Sequence, residues 1–329
     1  MKKNLITILL MLILLSVGMN AVAADRFVLT LGHGAAPSNP RHTVALELAK
    51  YVEAMTNGAV KIKVFPSETL GSDREMAESV AMGALDMSIN SQGPIASYNP
   101  NLNVVGLPFL FSKPAQTYAV LDGEVGEIIS EQLTKKGIRI LAYWENGFRH
   151  ITNNIRPINV PADLEGLKIR TPEDKITLAI FNALGANPAP LAFGELYMAL
   201  SQGLFDGQEN PITNIYYSKL YEVQKYISLT NHKYETCPLV ISESTWQKLP
   251  EKYQKVLKEA AMKYAMIHRK ENIYANNNLL KELKKEGVQV NTADVAALRA
   301  ATKSVYTKFE PVFGKELVDK VLAIVASVE

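Results

Sequence analysis

The sequence predicts an α/β protein of two similar domains facing each other across a cleft, with one long helix lying across both. Three observations carry this. Short strands alternate with single helices in both halves of the chain, the pattern of right-handed βαβ units whose strand ends gather along one sheet edge. A helix, turn and strand repeat as Gly83-Ala84-Leu85-Asp86 and Gly203-Leu204-Phe205-Asp206, each followed by a polar, proline-containing loop. A helical stretch runs from Leu249-Pro250-Glu251 to about Glu286, with Val256, Ala260, Tyr264 and Ile267 three or four apart.

In the first half, Arg26 to Leu31 reads as a strand. The Gly32-His33-Gly34 turn after it lacks the third glycine of a dinucleotide loop, where Pro37 stands, so a nucleotide site is rejected. His33, at the strand's end, is placed equally as a ligand contact or as a partner of nearby backbone. Asn39 then Pro40 starts a helix with Val44, Leu48, Val52 and Met55 at helical spacing. Val60 to Phe65 is a strand, Ser72 to Glu75 a capping box, and Met87 to Asn90 the next strand. The aspartate of each repeated turn is expected near a strand tip at the cleft. Leu107 to Phe111 reads as core, Ala115 to Lys136 as one helix and Ile138 to Trp144 as a strand; Arg149 follows the Glu145-Asn146-Gly147 turn.

The second half opens with the most informative stretch, Gly166 to Pro211: strand, helix, strand, helix, strand. Arg170 closes the first strand, where a planar fork of donors can meet a carboxylate or phosphate, although a surface or ion-paired arginine is the more frequent reading. Asn210 ends the third strand, as a polar ligand contact or a helix cap. If the chain crosses between domains near Arg149, both arginines approach a ligand from one wall. Strands from Lys225 to Leu229 and Leu239 to Ser242 precede the long helix, and closing helices follow near Val295 to Phe309 and Leu317 to Val325.

Lys2 and Lys3, an apolar run from Leu5 to Val17 and Ala21-Val22-Ala23-Ala24 read as a secretory signal cleaved after Ala23 or Ala24; the run is too short to span a membrane. The chain carries 35 Lys and Arg against 33 Asp and Glu, so loss of Lys2 and Lys3 leaves a net charge near zero and no basic excess for nucleic acid. Cys237 is the single cysteine, excluding an internal disulfide and a cysteine metal cluster. Five histidines without paired spacing, and no zinc-protease, Walker or Gly-x-Ser-x-Gly motif, favour binding without catalysis.

Four ordered motifs, Tyr143 to Arg149 (YWENGFR), Gly166 to Pro172 (GLKIRTP), Phe193 to Tyr197 (FGELY) and Asp206 to Pro211 (DGQENP), make the chain resemble the solute-binding proteins of tripartite ATP-independent periplasmic (TRAP) transporters, the dicarboxylate-binding type. The resemblance covers essentially the whole mature chain. It implies a two-domain periplasmic-binding-protein fold, with a signal over 1–24, one domain of 25–147 plus about 236–275, and another of 148–235 plus about 276–329. It implies Arg170 as the main carboxylate clamp, Arg149 as a second cation, Asn210 as a polar contact and Phe193 as an apolar wall. Asp73 and Ser91 fall where sialic-acid binders of the family place contacts. Ser91 replaces a glutamate of that pattern and Gly34 stands near its asparagine, which points away from sialic acid. Ala142 to Gly147 and Gly185 to Pro188 look closer to binders of sugar acids such as diketogulonate or uronates. The implied function is a periplasmic, non-enzymatic binder of a small organic acid, without cofactor, that closes on its ligand and docks on a TRAP permease. The alternatives are a C4-dicarboxylate binder or a sensing partner of a membrane receptor.

Overall fold

The computed structural model describes residues 26–328; the expected signal, 1–24, lies outside them. Among those residues the strands, in chain order, are β1 Phe27–His33, β2 Val60–Phe65, β3 Met87–Ile89, β4 Ile138–Phe148, β5 His150–Asn153, β6 Lys168–Thr171, β7 Asn187–Pro190, β8 Gly207–Asn210, β9 Tyr226–Leu229, β10 Tyr234–Ser242 and β11 Gln289–Thr292. They form two sheets, ordered β2-β1-β3-β10-β4 and β11-β9-β5-β8-β6-β7. The βαβ pairs are parallel, while β10 in the first sheet and β5 in the second run antiparallel to their neighbours.

Local signals explain the elements. In β2, Val60 and Ile62 are buried while Lys61 and Lys63 face solvent, the alternation of a half-buried strand. Asn39 caps Pro40–Met55 by accepting from the Arg41 amide at 2.9 Å. The Ser72 and Glu75 box is fully formed on Asp73–Met82, and Gly83 ends that helix in the left-handed conformation that glycine adopts without strain.

The repeated turn is structural. Asp86 accepts from the Thr30 amide and Asp206 from the Lys168 amide, at 2.9 and 2.8 Å. Both aspartates precede their strands and hold the backbone of a neighbouring parallel strand, Thr30 within β1 and Lys168 at the start of β6, away from the strand ends at the cleft. The segment expected as one helix over 115–136 is two, Pro114–Leu121 and Glu124–Thr134, broken at Asp122, which Arg269 of the long helix holds through both guanidinium ends.

The chain crosses between sheets at Arg149, from β4 to β5, and back from β9 to β10; the two crossings are joined by Arg149 N–H to Lys233 O at 2.9 Å. The helix Glu251–Lys285 spans both lobes: Leu257, Ala261 and Ala265 pack into the first lobe's core, and Ala275, Leu279 and Leu283 into the second's. At ~1.5 Å per residue it is about 50 Å long. Leu107, Phe109, Leu110 and Phe111 are buried in a core that continues across the lobes. The helix Lys315–Ser327, expected with the second domain, instead lies against Pro114–Leu121 of the first, where Gln116 Nε2 donates to Val325 O at 3.1 Å. Its apolar face needed a partner, and spacing along the chain did not reveal which.

Candidate ligand-binding site

The parallel strands of both sheets end at the cleft, where crevices outside strand carboxyl ends form ligand sites. Gly34 follows β1, Ser91 follows β3, Pro172 follows β6, and Asn210 ends β8; all four line one cavity. Arg41, Arg149, Arg170, Glu68, Asp73 and Phe193 line it as well. The structure therefore brings together six of the seven predicted site residues. The exception is His33. Its ring accepts from the Ala35 amide at 3.1 Å and meets His42 at 3.1 Å, away from the cavity lining. Burial, with Arg41 and His42 nearby, lowers its pKa to about 3, so it stays neutral.

Arg170 is 2% exposed. Its Nε and Nη2 donate to Leu191 O at 2.9 and 2.5 Å, and the Phe193 ring lies 5.9 Å from the guanidinium carbon. Among the described residues no carboxylate comes within salt-bridge distance of it. Burial, with Arg149 adding to it, lowers its pKa to about 10, only partly offset by Glu209, Glu68 and Glu235. It is a buried cation with one backbone carbonyl as its hydrogen-bond acceptor.

Arg149 is equally buried, and its partners are numerous. It pairs with Glu209 and Glu235, donates to Glu209 O at 2.7 Å and reaches Asn210 Oδ1 at 3.3 Å. Burial would lower its pKa; the two glutamates outweigh burial and raise it. Burial likewise opposes ionisation of Glu209, yet Arg149 and His232 bring its pKa down to about 2. Asn210 belongs to this network, donating to Gln208 Oε1 at 2.5 Å and accepting from Asn214 at 3.1 Å. It caps no helix, because Ile212–Tyr217 starts after Pro211 without a side-chain cap.

An acidic wall, Asp73 and Glu68, lines the same cavity as Arg170. Asp73 Oδ2 accepts from the Ser91 amide at 2.9 Å, and burial raises its pKa. Glu68 Oε2 accepts from the Gly194 amide at 2.7 Å, a bond between the two lobes. Burial and Asp73 raise the Glu68 pKa to about 7, against the hydrogen bond from Gly194. Further contacts close the cleft: Asn39 to Asn214 at 3.3 Å and Arg74 to Glu173 at 3.5 Å. At Gly93 an added Cβ would stand 2.6 Å from Glu173 O, so the lobes approach there to a distance only glycine permits.

Sequence reasoning missed Arg41, Glu68 and Asn214. Arg41 carried a signal, since it sits two residues after a helix cap that follows a strand end. Glu68 carried none: it lies in a turn where Ser67 and Glu68 take positive φ, 56° and 55°, without a glycine to mark it. Cys237 is fully buried with its thiol pushed up to about 12 by burial, which suits packing and not nucleophilic attack.

The family described as bacterial extracellular solute-binding protein, family 7, matches residues 31–311. The chain is 36% identical over 264 residues, 80% of each chain, to the 2,3-diketo-L-gulonate-binding periplasmic protein YiaO of Escherichia coli. It is 34% identical to the C4-dicarboxylate-binding periplasmic protein DctP of Rhodobacter capsulatus, over 86% of this chain and 85% of that one. A longer relative from Sinorhizobium fredii, an uncharacterized protein, is 45% identical, and this chain spans about half of its length, 51%. Among solved structures, a TRAP periplasmic solute-binding protein from Polaromonas bound to D-erythronate is 38% identical with a TM-score of 0.88, over 91% of this chain and 99% of that one.

Proposed function

We infer the function from family and site chemistry together: the chain belongs to the bacterial extracellular solute-binding proteins of family 7, the TRAP type, whose ligand is a small organic acid. We propose that the acid is a sugar acid and that Arg170 is its carboxylate clamp. One observation carries the clamp: Arg170 is buried to 2% exposure with Leu191 O as its hydrogen-bond acceptor and no salt-bridge partner among the described residues. A buried guanidinium is costly until an anion neutralises it, and its fork matches a carboxylate bidentately. Phe193 supplies an apolar wall, and Asp73, Ser91 and Asn210 supply polar edges. Arg149 is proposed as a cation near the ligand whose charge is already met by Glu209 and Glu235.

The mechanism is hinge closure. The bends at Arg149 and at 230–233 would let the lobes part, and a ligand touching both walls would hold them together. The lobes of this proposal are 25–147 with about 236–275, and 148–235 with about 276–302, the helix Lys315–Ser327 riding on the first. The protein works in the periplasm, hands its ligand to a TRAP membrane permease, and catalyses no reaction. A C4-dicarboxylate reading has one observation in its favour, the buried Nε of Arg41, which finds no protein acceptor.

The test is thermal unfolding of ligand-free mature protein against aldonates, uronates, keto sugar acids, C4-dicarboxylates and sialic acid. Ligand at about 1,000 times its Kd stabilises by about 4 kcal/mol, several degrees at this size. A shift with aldonates or uronates supports the reading; no shift with any acid removes it.

A further inference from the structure

The acidic wall holds two buried oxygens that the fold leaves without a donor, Glu68 Oε1 and Asp73 Oδ1. Both face the same spot. A Cβ built on Gly34 would lie 3.3 Å from Glu68 Oε1 and 3.6 Å from Asp73 Oδ1, in contact with both, so the glycine leaves room at this corner that a methyl group would occupy. A buried acceptor without a donor is costly, and native proteins seldom leave two side by side.

The turn that carries Glu68 is fixed in place. Ser67 N–H donates to Ala35 O and Glu68 N–H to His33 O, each at 3.1 Å, so the end of β1 holds the turn. Both residues are kept in the left-handed region, a conformation that costs non-glycine residues free energy and persists only where its surroundings enforce it. Glu68 also divides its carboxylate between two tasks. Oε2 is committed to Gly194 N–H, next to Phe193 on the Arg170 side of the cleft, while Oε1 is buried at the Gly34 corner of the cavity lining, beside Asp73 Oδ1.

Resting on the organic-acid reading above, we propose that Glu68 is the residue by which this protein selects a polyhydroxy monocarboxylate over a dicarboxylate, and that it ties this choice to closure. A ligand whose carboxylate sits at Arg170 presents its far end to Glu68 and Asp73. Hydroxyl groups there donate to Oε1 and Oδ1. A second carboxylate there would bring negative charge against two acids and offer them no donor, leaving only Arg41, already bonded to Asn146 and with its Nε alone unpartnered, to meet it. Because the oxygen beside the reading oxygen holds the opposite lobe, a ligand that satisfies Oε1 also fixes the side chain that bridges the cleft.

The test is titration calorimetry at pH 8 on ligand-free mature protein, with D-galactonate, D-erythronate and succinate as probes. The variants are Glu68→Gln and Gly34→Ala. In Glu68→Gln the Gly194 amide still needs an acceptor, so the glutamine oxygen faces Gly194 and its NH2 turns into the cavity. The corner then donates where it had accepted. Wild type is expected to bind an aldonate at least tenfold more tightly than succinate. Glu68→Gln is expected to weaken that aldonate about tenfold to a hundredfold while leaving succinate unchanged or tighter. Gly34→Ala, whose backbone is compatible with alanine, is expected to lose aldonate binding by filling the corner. Equal losses for aldonate and succinate in Glu68→Gln would mean a merely structural role and overturn the proposal. A wild type that prefers succinate overturns it while the organic-acid reading stands. A wild type that binds no acid removes that reading and this one with it.

Discussion

Arg149 and Arg170 are both buried to 2% exposure and both line the same cavity, yet they have opposite electrostatic circumstances. Arg149 sits where the chain passes between lobes and is met by two glutamates, a carbonyl and an asparagine. Arg170 sits at a strand end and is met by one carbonyl. Burial raises the free energy of any guanidinium, so the fold must compensate it or leave that to a ligand. At Arg149 the protein compensates; at Arg170 it does not. The pair teaches that a buried cation marks a binding site through its missing partners.

The comparison is broken most forcefully by removing the compensated arginine. Arg149→Leu leaves Glu209 buried without its guanidinium and Glu235 with only Lys233, 3.6 Å away, and is expected to cost about 3–5 kcal/mol of stability in urea unfolding. A loss under about 1 kcal/mol would mean the network is not structural. Arg170→Lys is the counterpart: charge is kept, the fork is lost, and affinity for the best acid is expected to fall roughly thirtyfold to a hundredfold by calorimetry. Ligand-free stability should fall by no more than about 1.5 kcal/mol, because no ion pair is broken and only the guanidinium bonds to Leu191 O are lost. Unchanged affinity would sink the clamp.

Gly93→Ala sharpens the role of the cleft between the two arginines. Its Cβ would meet Glu173 O at 2.6 Å, a backbone atom that yields little, so closure should be impeded and affinity reduced about tenfold. Scattering should show a larger radius of gyration in the presence of ligand; a normal closed radius would place the close approach outside the closing motion. The smallest effect is that of pH. Glu68 has its pKa raised from 4.5 to about 7, chiefly by burial and then by Asp73. A raised carboxyl favours the protonated folded form, so its contribution to ligand-free stability is complete below pH 4.5 and is lost as pH rises through about 7. Glu68→Gln should flatten that part of the profile, with Asp73, Arg170 and the Gly194 amide as its neighbours in both proteins. A profile unchanged by the substitution would show that Glu68 titrates normally.

Much of this was legible in the sequence because it was local. The capping box at Ser72 and Glu75, the Asn39-Pro40 helix start, the alternation in β2 and the glycine at position 83 are decided within a turn or two of chain. Arg170 and Asn210 could be placed because βαβ units put strand carboxyl ends at one edge. The segment around Arg149 could be read as strand-like, where β5 lies, but the short strand β11 escaped notice, since four residues give little periodicity and it pairs only with β9. The repeated aspartates were legible as a repeat, and their job was not: only the paired strands show that Asp86 and Asp206 hold Thr30 and Lys168.

What the sequence alone determined is the α/β class, the repeated units, the long helix and the presence of arginines at strand ends, each set by residues near one another along the chain. Tertiary structure alone decided which arginine is neutralised. Glu235 stands 86 positions from Arg149, and Glu68 stands 126 from Gly194, separations that composition and periodicity do not encode. Charge compensation depends on distances of a few ångströms, and those distances exist only once the two lobes have folded against each other.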